Sequence, residues 1–442
     1  MARSWPKGSS HLAKVLIASG LLSVTAAACG TSTPSTTSSA SVAQPIQVSF
    51  WESHSSGGPP GEAVSALINE FNRTHKSIHI NLTVTKASTK ALAALAAGDA
   101  PVLALISHYD GAFLNAHALV SWNSLLLSGP QAMSASEQAS FPASVWQNGE
   151  IGGQHYRIEA DAKVSILCYN KAIFAQAGIA QAPTTWAELA TDVALIKQKV
   201  PGVVPLAWKD SSAHILPPFL SNGGAIFLPG SHQTKTDFLS PAAVETFTYF
   251  RNLYAAGDMI IAHGTQIRAD FASGHLAIAD GTSAGYQKLL DAVGGKFAVG
   301  VMPYPSGSSG HTANLVQGLG FVLMVNNTAA QDQAAATFVD WWFAPAQQAY
   351  WGSHSGYPPE TASGLAAISP VYLAAHPGVA ISANILQSPY TISRPIPTAY
   401  KEVQAALDAE FYDAVTGKTT VQAALQALQS QADAYLSGNT SL

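Results

Sequence analysis

A regular alternation of strand and helix patterns near the start of the folded sequence constrains the fold most. Residues 46–51 (IQVSFW) and 77–84 (SIHINLTV) alternate apolar with polar side chains, which is typical of strands. Residues 62–72 place apolar side chains on one helical face, and residues 90–97 are rich in alanine and leucine. Residues 102–106 form an all-apolar run, typical of a buried parallel strand. This order predicts an α/β sheet with crossover helices.

The first 45 residues have a different character. An apolar run at residues 15–29 follows three basic residues, which is typical of a secretory signal. Its end, AAAC, resembles a bacterial lipobox and favours lipidation of Cys29; plain cleavage and an uncleaved anchor are the alternatives. Residues 29–45 are almost entirely Gly, Ser, Thr, Pro and Ala, which predicts a flexible tether. We therefore expect a signal peptide over 1–28 and an exported body, lipid-anchored at the outer face of the cell membrane.

The remaining composition fits a globular body. About four hundred residues are enough for two domains with large cores. The formal net charge of -5, without a Lys/Arg stripe, argues against nucleic-acid binding. Cys168 lies in an apolar run and has no partner if Cys29 carries lipid, so we expect it to be a buried small residue.

Catalytic and metal-binding motifs are absent from the sequence. The 14 histidines form no HExxH or metal-spaced cluster, and no G-x-S-x-G, GxGxxG or P-loop motif occurs. Glu159 and Asp161 could lie together as a carboxylate pair, which leaves an exported hydrolase as an alternative. We predict no enzymatic activity, no cofactor and no metal, and we keep Asp161 as a candidate ligand-binding residue.

Polar and aromatic side chains follow several predicted strands, where α/β sheets bind ligands. Trp51 and Ser53 close the first strand, although Trp51 could equally be a core residue. Ser107 and His108 follow the third strand, and Trp208 follows a later one.

Two further positions suit an anion. Ser283 begins a Ser/Gly-rich helix entry, which either presents N–H groups to an anion or is a simple cap. Arg394 lies in a proline-bounded loop where a guanidinium could clamp a phosphate or carboxylate. The alternative for Arg394 is a surface ion pair with Glu402 or Asp408.

A series of short motifs recurs in a fixed order along the chain. The motifs are FW (50–51), EFN (70–72), GDAP (98–101), LCYNK (167–171), PTTW (183–186), FASG (271–274), VGVMPY (299–304), FVDW (338–341) and SGYPP (355–359). In this order they resemble the extracellular solute-binding proteins of ABC importers, most strongly the sugar and glycerol-phosphate group.

The resemblance implies a two-lobed α/β fold, the type II periplasmic-binding-protein fold, with three crossings between the lobes. One lobe would hold residues 46–160 and 313–345, and the other residues 161–312 and 346–442. A small-molecule ligand would bind in the cleft between them as a hinge closes, and the transmembrane permease would read the closed state. We expect a monomer.

The resemblance also implies the chemistry of the cleft. In the glycerol-phosphate members the phosphate contacts have counterparts here in Ser283, Gly318, Tyr357 and Arg394. At the glycerol end, Ser88 or Thr89 replaces a tyrosine and Ser107 replaces a carboxylate, which should change the polyol that fits. We therefore expect a phosphorylated polyol or a glycerophosphodiester rather than glycerol-3-phosphate itself. A neutral oligosaccharide of the maltose or trehalose type is the alternative.

Overall fold

The computed structural model describes residues 44–54, 57–107, 110–129, 132–395 and 399–437. The predicted signal peptide, Cys29 and His108 lie outside these ranges, as does nearly all of the predicted tether. The described residues from Gln44 onward form one compact unit. None of their helices combines the length and the apolar character needed to cross a membrane.

Fifteen strands occur in these ranges. In chain order they are β1 (Ile46–Glu52), β2 (Ile78–Val84), β3 (Leu103–Ile106), β4 (Leu119–Val120), β5 (Glu150–Ile151), β6 (Gln154–His155), β7 (Ile158–Glu159), β8 (Ser165–Asn170), β9 (Val204–Trp208), β10 (Met259–Ile261), β11 (Leu276–Thr282), β12 (Val299–Met302), β13 (Asn314–Leu315), β14 (Gly320–Met324) and β15 (Thr391–Ile392).

The α-helices of the same ranges vary from single turns to helices of 17 residues. They are α1 (Pro59–Thr74), α2 (Ala87–Ala96), α3 (Asp110–Asn115), α4 (Ala135–Gln138), α5 (Ala143–Trp146), α6 (Lys171–Ala177), α7 (Trp186–Lys199), α8 (Ser212–Ser221), α9 (Pro241–Ala256), α10 (Gly264–Ser273), α11 (Ser283–Val293), α12 (Ala329–Phe343), α13 (Pro345–His354), α14 (Ala362–Ala367), α15 (Pro370–Ala375), α16 (Pro377–Gln387), α17 (Tyr400–Thr416) and α18 (Val421–Leu436). A π-helical turn covers Asn123–Leu127.

Two mixed sheets organise the molecule. The first has the strand order β2-β1-β3-β14-β4, with β7 also beside β14, and the second has the order β10-β9-β11-β8-β12. The predicted strand-helix-strand order is confirmed, because β1 runs parallel to both β2 and β3. The chain passes between the sheets, and each sheet contains an antiparallel strand that follows a segment of the other sheet in sequence. In the first sheet β14 runs antiparallel to β3, and in the second β8 runs antiparallel to β11.

Local sequence signals explain where several helices begin and end. The first helix starts at Pro59, earlier than expected, because Gly58 takes an extended conformation and proline is pre-organised for the first helical position. Thr185 and Glu188 form the predicted capping box at the start of α7. Gly417 ends α17 with a φ of 81°, a conformation that glycine adopts without strain.

The cores are rich in aromatic side chains. In the first, Phe71 packs edge-on against Phe338 with ring centroids 5.0 Å apart. In the second, Trp208 lies 4.8 Å from Phe250 between β9 and α9. Cys168 is a free, buried cysteine in β8, as predicted.

The lobe boundaries remain a prediction, but the packing of one helix differs from them. Helix α13 contacts α1 and α12, and its Trp351 lies 5.4 Å from Trp342 in the core beside the first sheet. Residues 346–442 therefore do not all accompany the second sheet. The resemblance implies a boundary at residue 345, and the chain continues there at once into another helix of the same core.

Candidate functional site

The candidate site is built around residues 159–164, the linking segment, which connects β7 of the first sheet to β8 of the second. Its main chain pairs with the residues that lead into β14. Lys163 and Gln317 exchange backbone hydrogen bonds of 2.8 and 3.0 Å, and the amide of Ala160 donates to the carbonyl of Leu319 at 2.9 Å. Two neighbouring strands thus fix the segment where the chain passes between the sheets.

Side chains in the linking segment alternate in character. Ala160, Ala162 and Val164 are fully buried in the hydrophobic core. Glu159, Asp161 and Lys163, which stand between them in the sequence, contact polar and aromatic groups instead. One face of the segment therefore stabilises the fold, while the other presents charges.

A buried histidine bridges two carboxylates beside the segment. His54 follows β1; its Nδ1 lies 3.0 Å from Glu52 Oε2, and its Nε2 lies 2.9 Å from Asp161 Oδ2. Burial lowers the pKa of His54, but the bonds and charges of Asp161 and Glu52 outweigh this effect and raise the pKa to about 9. At neutral pH the ring is an imidazolium that joins the end of β1 to the linking segment.

A second polar chain runs from Glu159 to the loop of Arg394. Arg157 Nη2 lies 3.4 Å from Glu159 Oε2, and the amide of Asn148 donates to that same oxygen at 2.6 Å. The backbone N–H of Arg394 donates to Asn148 Oδ1 at 3.1 Å. Arg394 is only 9% exposed, so it is a buried arginine near the linking segment rather than the surface residue of the alternative interpretation.

Glu360 contributes a fourth carboxyl group to the region. It is fully buried, and its Oε1 accepts a hydrogen bond of 2.9 Å from the amide of Ala162. Burial and the charge of Asp161 raise its pKa well above the usual range of a glutamate, although the amide of Ala162 opposes the shift. The surroundings of Glu360 therefore favour the protonated form of this carboxyl group.

Tyr357 forms the aromatic wall of the site. Its ring lies edge-on to His54 with centroids 5.8 Å apart, and it stacks on Trp351 at 5.5 Å. The ammonium of Lys163 lies 6.0 Å from its centroid. Burial, followed by the surrounding carboxylates, raises the pKa of the Tyr357 phenol well above its usual value, which keeps the phenol neutral.

Gly318 allows the two pairing segments to approach closely. It has a φ of 153°, and a Cβ added there would lie 2.3 Å from Glu159 Oε1 and 2.6 Å from Asp161 Oδ1. The next residue, Leu319, donates its amide to Asp161 Oδ1. Only glycine fits beside these two carboxylates.

Ser283 opens α11 against the end of the linking segment. Its N–H donates to the carbonyl of Val164 at 2.9 Å, and its Oγ accepts from the amide of Val164 at 3.2 Å. Asp161, Gly318, Tyr357, Ser283 and Arg394 therefore all lie around the linking segment, although they are distant in sequence.

The other predicted residues that the structure describes have contacts outside the linking segment. Trp51 is half-buried against a small cluster below α2. Ser53 is exposed and accepts from the amide of Ala87 at 3.3 Å, and Ser107 bonds Ser88 through both its amide and its hydroxyl. Trp208 has no exposed surface because its ring is enclosed by the second core, so it offers no face to a ligand in this structure.

Sequence reasoning missed Glu360, Lys163, Arg157 and Asn148. The alternation in residues 157–163, RIEADAK, was a signal that a charged face follows the strand, but it does not reveal which loops cover that face. Within the described ranges no group of three His, Cys, Asp or Glu side chains is suited to a metal ion. The carboxylates instead contact His54, Arg157 and backbone amides.

Comparisons with known proteins agree on one family. The model of the family described as bacterial extracellular solute-binding protein matches residues 66–379. The sn-glycerol-3-phosphate-binding periplasmic protein UgpB of Pectobacterium atrosepticum is 23% identical over 412 residues, which cover 88% of this chain and 91% of that protein.

Solved structures show the same fold. The cyclic alpha-maltosyl-1,6-maltose binding protein from Arthrobacter globiformis superposes with a TM-score of 0.77 at 21% identity, covering 89% of this chain and 99% of that one. UgpB from Mycobacterium tuberculosis, in complex with glycerophosphocholine, gives a TM-score of 0.73 at 20% identity, covering 89% and 98%. The two sheets described above are thus those of a periplasmic-binding-protein fold, as the sequence resemblance implied.

Proposed function

Because the chain belongs to the bacterial extracellular solute-binding protein family of ABC importers, we propose that it captures a phosphorylated polyol or a glycerophosphodiester. The relatives are binding proteins for sugars and glycerol phosphate rather than enzymes. The role of the protein is therefore to bind a solute outside the cytoplasm and deliver it to a permease. The identity of that solute is the subject of the proposal.

One observation carries the proposal: the four positions implied for phosphate binding meet around the linking segment. Ser283 bonds Val164, Gly318 adjoins Asp161, and Tyr357 lies beside Lys163. Arg394 reaches the same segment through Asn148 and Glu159. A buried arginine and an ammonium that faces a buried tyrosine suit an oxyanion, since charge-assisted hydrogen bonds are the strong ones.

Glu159 and Asp161 are buried in this structure, so they would meet the polyol part of such a ligand only after the residues that cover them move. Carboxylate oxygens accept hydrogen bonds from hydroxyl groups. The same carboxylates favour the second candidate, a neutral oligosaccharide, and the Arthrobacter globiformis neighbour is named as a binder of a maltose derivative. A direct comparison of charged and neutral ligands is therefore the decisive test.

Isothermal titration with glycerophosphocholine, glycerol-3-phosphate and maltose provides this test. We expect a phosphorylated ligand to bind and to raise the melting temperature with concentration. Arg394→Ala should lose at least about tenfold in affinity, because a charge-assisted contact is worth about 1.5–3 kcal/mol. Arg73→Ala is the matched control, since Arg73 is exposed and pairs with Glu70 on α1. Tight maltose binding without any phosphate binding would refute the phosphate assignment.

The proposed site of action includes lipid anchoring through Cys29 and a monomeric state. The relatives place the protein outside the cytoplasm, and the lipobox-like AAAC sequence supports the anchor. Replacing Cys29 with serine should move the protein from the detergent phase to the aqueous phase in a phase-partition assay. Light scattering of the soluble body should give the mass of one chain.

A further inference from the structure

Lys163 is held rigidly in the middle of the site. Its backbone is fixed by two hydrogen bonds to Gln317, and its side chain extends on the charged face of the linking segment. The ammonium lies 6.0 Å from the centroid of Tyr357, at the limit of a cation–π contact. The residue is half-buried, so its charge is removed from much of the solvent.

The neighbouring carboxylates are already engaged. His54 lies between Glu52 and Asp161, and Arg157 faces Glu159. The fourth acid of the site, Glu360, accepts a hydrogen bond from the amide of Ala162, and its burial raises its pKa well above the usual value of a glutamate. Across the described part of the chain, no carboxylate oxygen lies within 4.0 Å of the Lys163 ammonium.

The electrostatic surroundings of Lys163 disfavour its ammonium form. Burial lowers the pKa of Lys163 most, Asp161 opposes this effect, and the positive charge of Arg394 lowers the pKa again. A positive charge in a partly desolvated region is stabilised when an anion binds beside it. The pairing with Gln317 uses only the main chain of Lys163, so it does not depend on the lysine side chain.

We propose that Lys163 binds the anionic group of the ligand together with Arg394, and that it makes the site select anionic over neutral polyols. This inference rests on the proposed function and deepens it by adding a residue that determines specificity. The lysine acts as a point charge, whereas the guanidinium supplies directional hydrogen bonds. The ammonium gives the site a preference for charged ligands.

The test compares Lys163→Met, Lys163→Arg and the control Lys288→Met by isothermal titration. Lys288 is exposed on α11, so its replacement makes the same change in net charge away from the site. The probes are glycerol-3-phosphate, glycerophosphocholine, glucuronate and maltose. Lys163→Met should weaken binding of the anionic ligand about ten- to a hundredfold and flatten its salt dependence, since this is the worth of a charged hydrogen bond. Lys163→Arg should retain most of the affinity.

Folding and binding are separated by a second measurement on the ligand-free protein. Removal of an ammonium without a counter-ion should leave its melting temperature unchanged or raise it, so weaker binding does not arise from unfolding. Equal affinity of wild type and Lys163→Met for the phosphorylated ligand would overturn the role of Lys163 but leave the proposed function intact. Binding of glucuronate alone, with dependence on Lys163, would support this role and refute the phosphate. Binding of maltose alone would overturn both.

Discussion

Raising the pH through 9 should remove the charge that joins β1 to the linking segment. An ordinary histidine has a pKa of 6.5, whereas that of His54 is about 9. Since each tenfold difference in proton affinity is worth about 1.4 kcal/mol, protonation of His54 stabilises the folded state by about 3 kcal/mol. Because the folded pKa is the higher one, this contribution is complete below pH 6.5 and is lost as the pH rises through 9.

Two measurements test this expectation. Urea unfolding of the wild type between pH 6 and pH 10 should show a decline of about 3 kcal/mol that is absent in His54→Gln. Proton NMR of the histidine rings in the wild type requires no variant. The ring of His54 should titrate near 9, whereas burial lowers the pKa values of His155 and His214, so these two rings should titrate below 6.5.

The variant itself should be less stable at neutral pH, because removal of one partner leaves Glu52 and Asp161 buried without their shared cation. The pH dependence of the difference between the two proteins, rather than its size, reports the titration of His54. A titration midpoint at or below 6.5 in the NMR experiment would refute the reasoning, since it would mean that desolvation outweighs both carboxylates.

Three further predictions concern single side chains. Gly318→Ala should cost about 1–3 kcal/mol of stability or abolish binding, because its Cβ would lie 2.3 Å from Glu159 Oε1. In the control Gly57→Ala the Cβ meets nothing within 4 Å, so the stability measured in the same urea experiment should hardly change. Glu360→Gln should keep or raise the melting temperature at pH 7 and gain on the wild type as the pH rises above 4.5. The pKa of Glu360 is higher in the folded than in the unfolded state, so ionisation of the carboxyl in the unfolded chain lowers the stability of the wild type in this range; a lower melting temperature of the variant at every pH would contradict this. Cys168 should resist alkylation by iodoacetamide at pH 8 until the protein is unfolded, because burial raises the pKa of its thiol to about 12. Rapid labelling of the native protein would contradict this, since it would show that the thiol is accessible.

The sequence predicted the strand and helix order well because the signals for that order are local. The apolar run at residues 102–106 became β3, and the cap at Thr185 became the start of α7. The packing of α13 on α1 was not predictable in this way, since it depends on which core the buried Trp351 joins. Nothing in the spacing of residues 345–354 distinguishes one core from the other.

The candidate site was only partly predictable. Arg394 and Tyr357 stood out through the family resemblance and their proline-rich surroundings, and both lie near the linking segment. Trp208 was expected beside a ligand because it ends a strand, but a strand end in the second core is covered by Phe250 and Tyr304. Glu360 had no sequence signal, because its role depends on a single contact with the amide of Ala162.

The alternation of core and charged residues in the linking segment also limits how this protein can evolve. Substitution of Asp161 or Lys163 changes the charged side of the segment and leaves Ala160, Ala162 and Val164 in the core. Insertion or deletion of one residue would exchange the two sides, placing the charges in the hydrophobic core and the apolar groups among the polar side chains. New ligand preferences should therefore arise here through point substitutions at alternate positions. Changes in chain length should instead accumulate in loops such as residues 228–235, which lie outside the helices and strands.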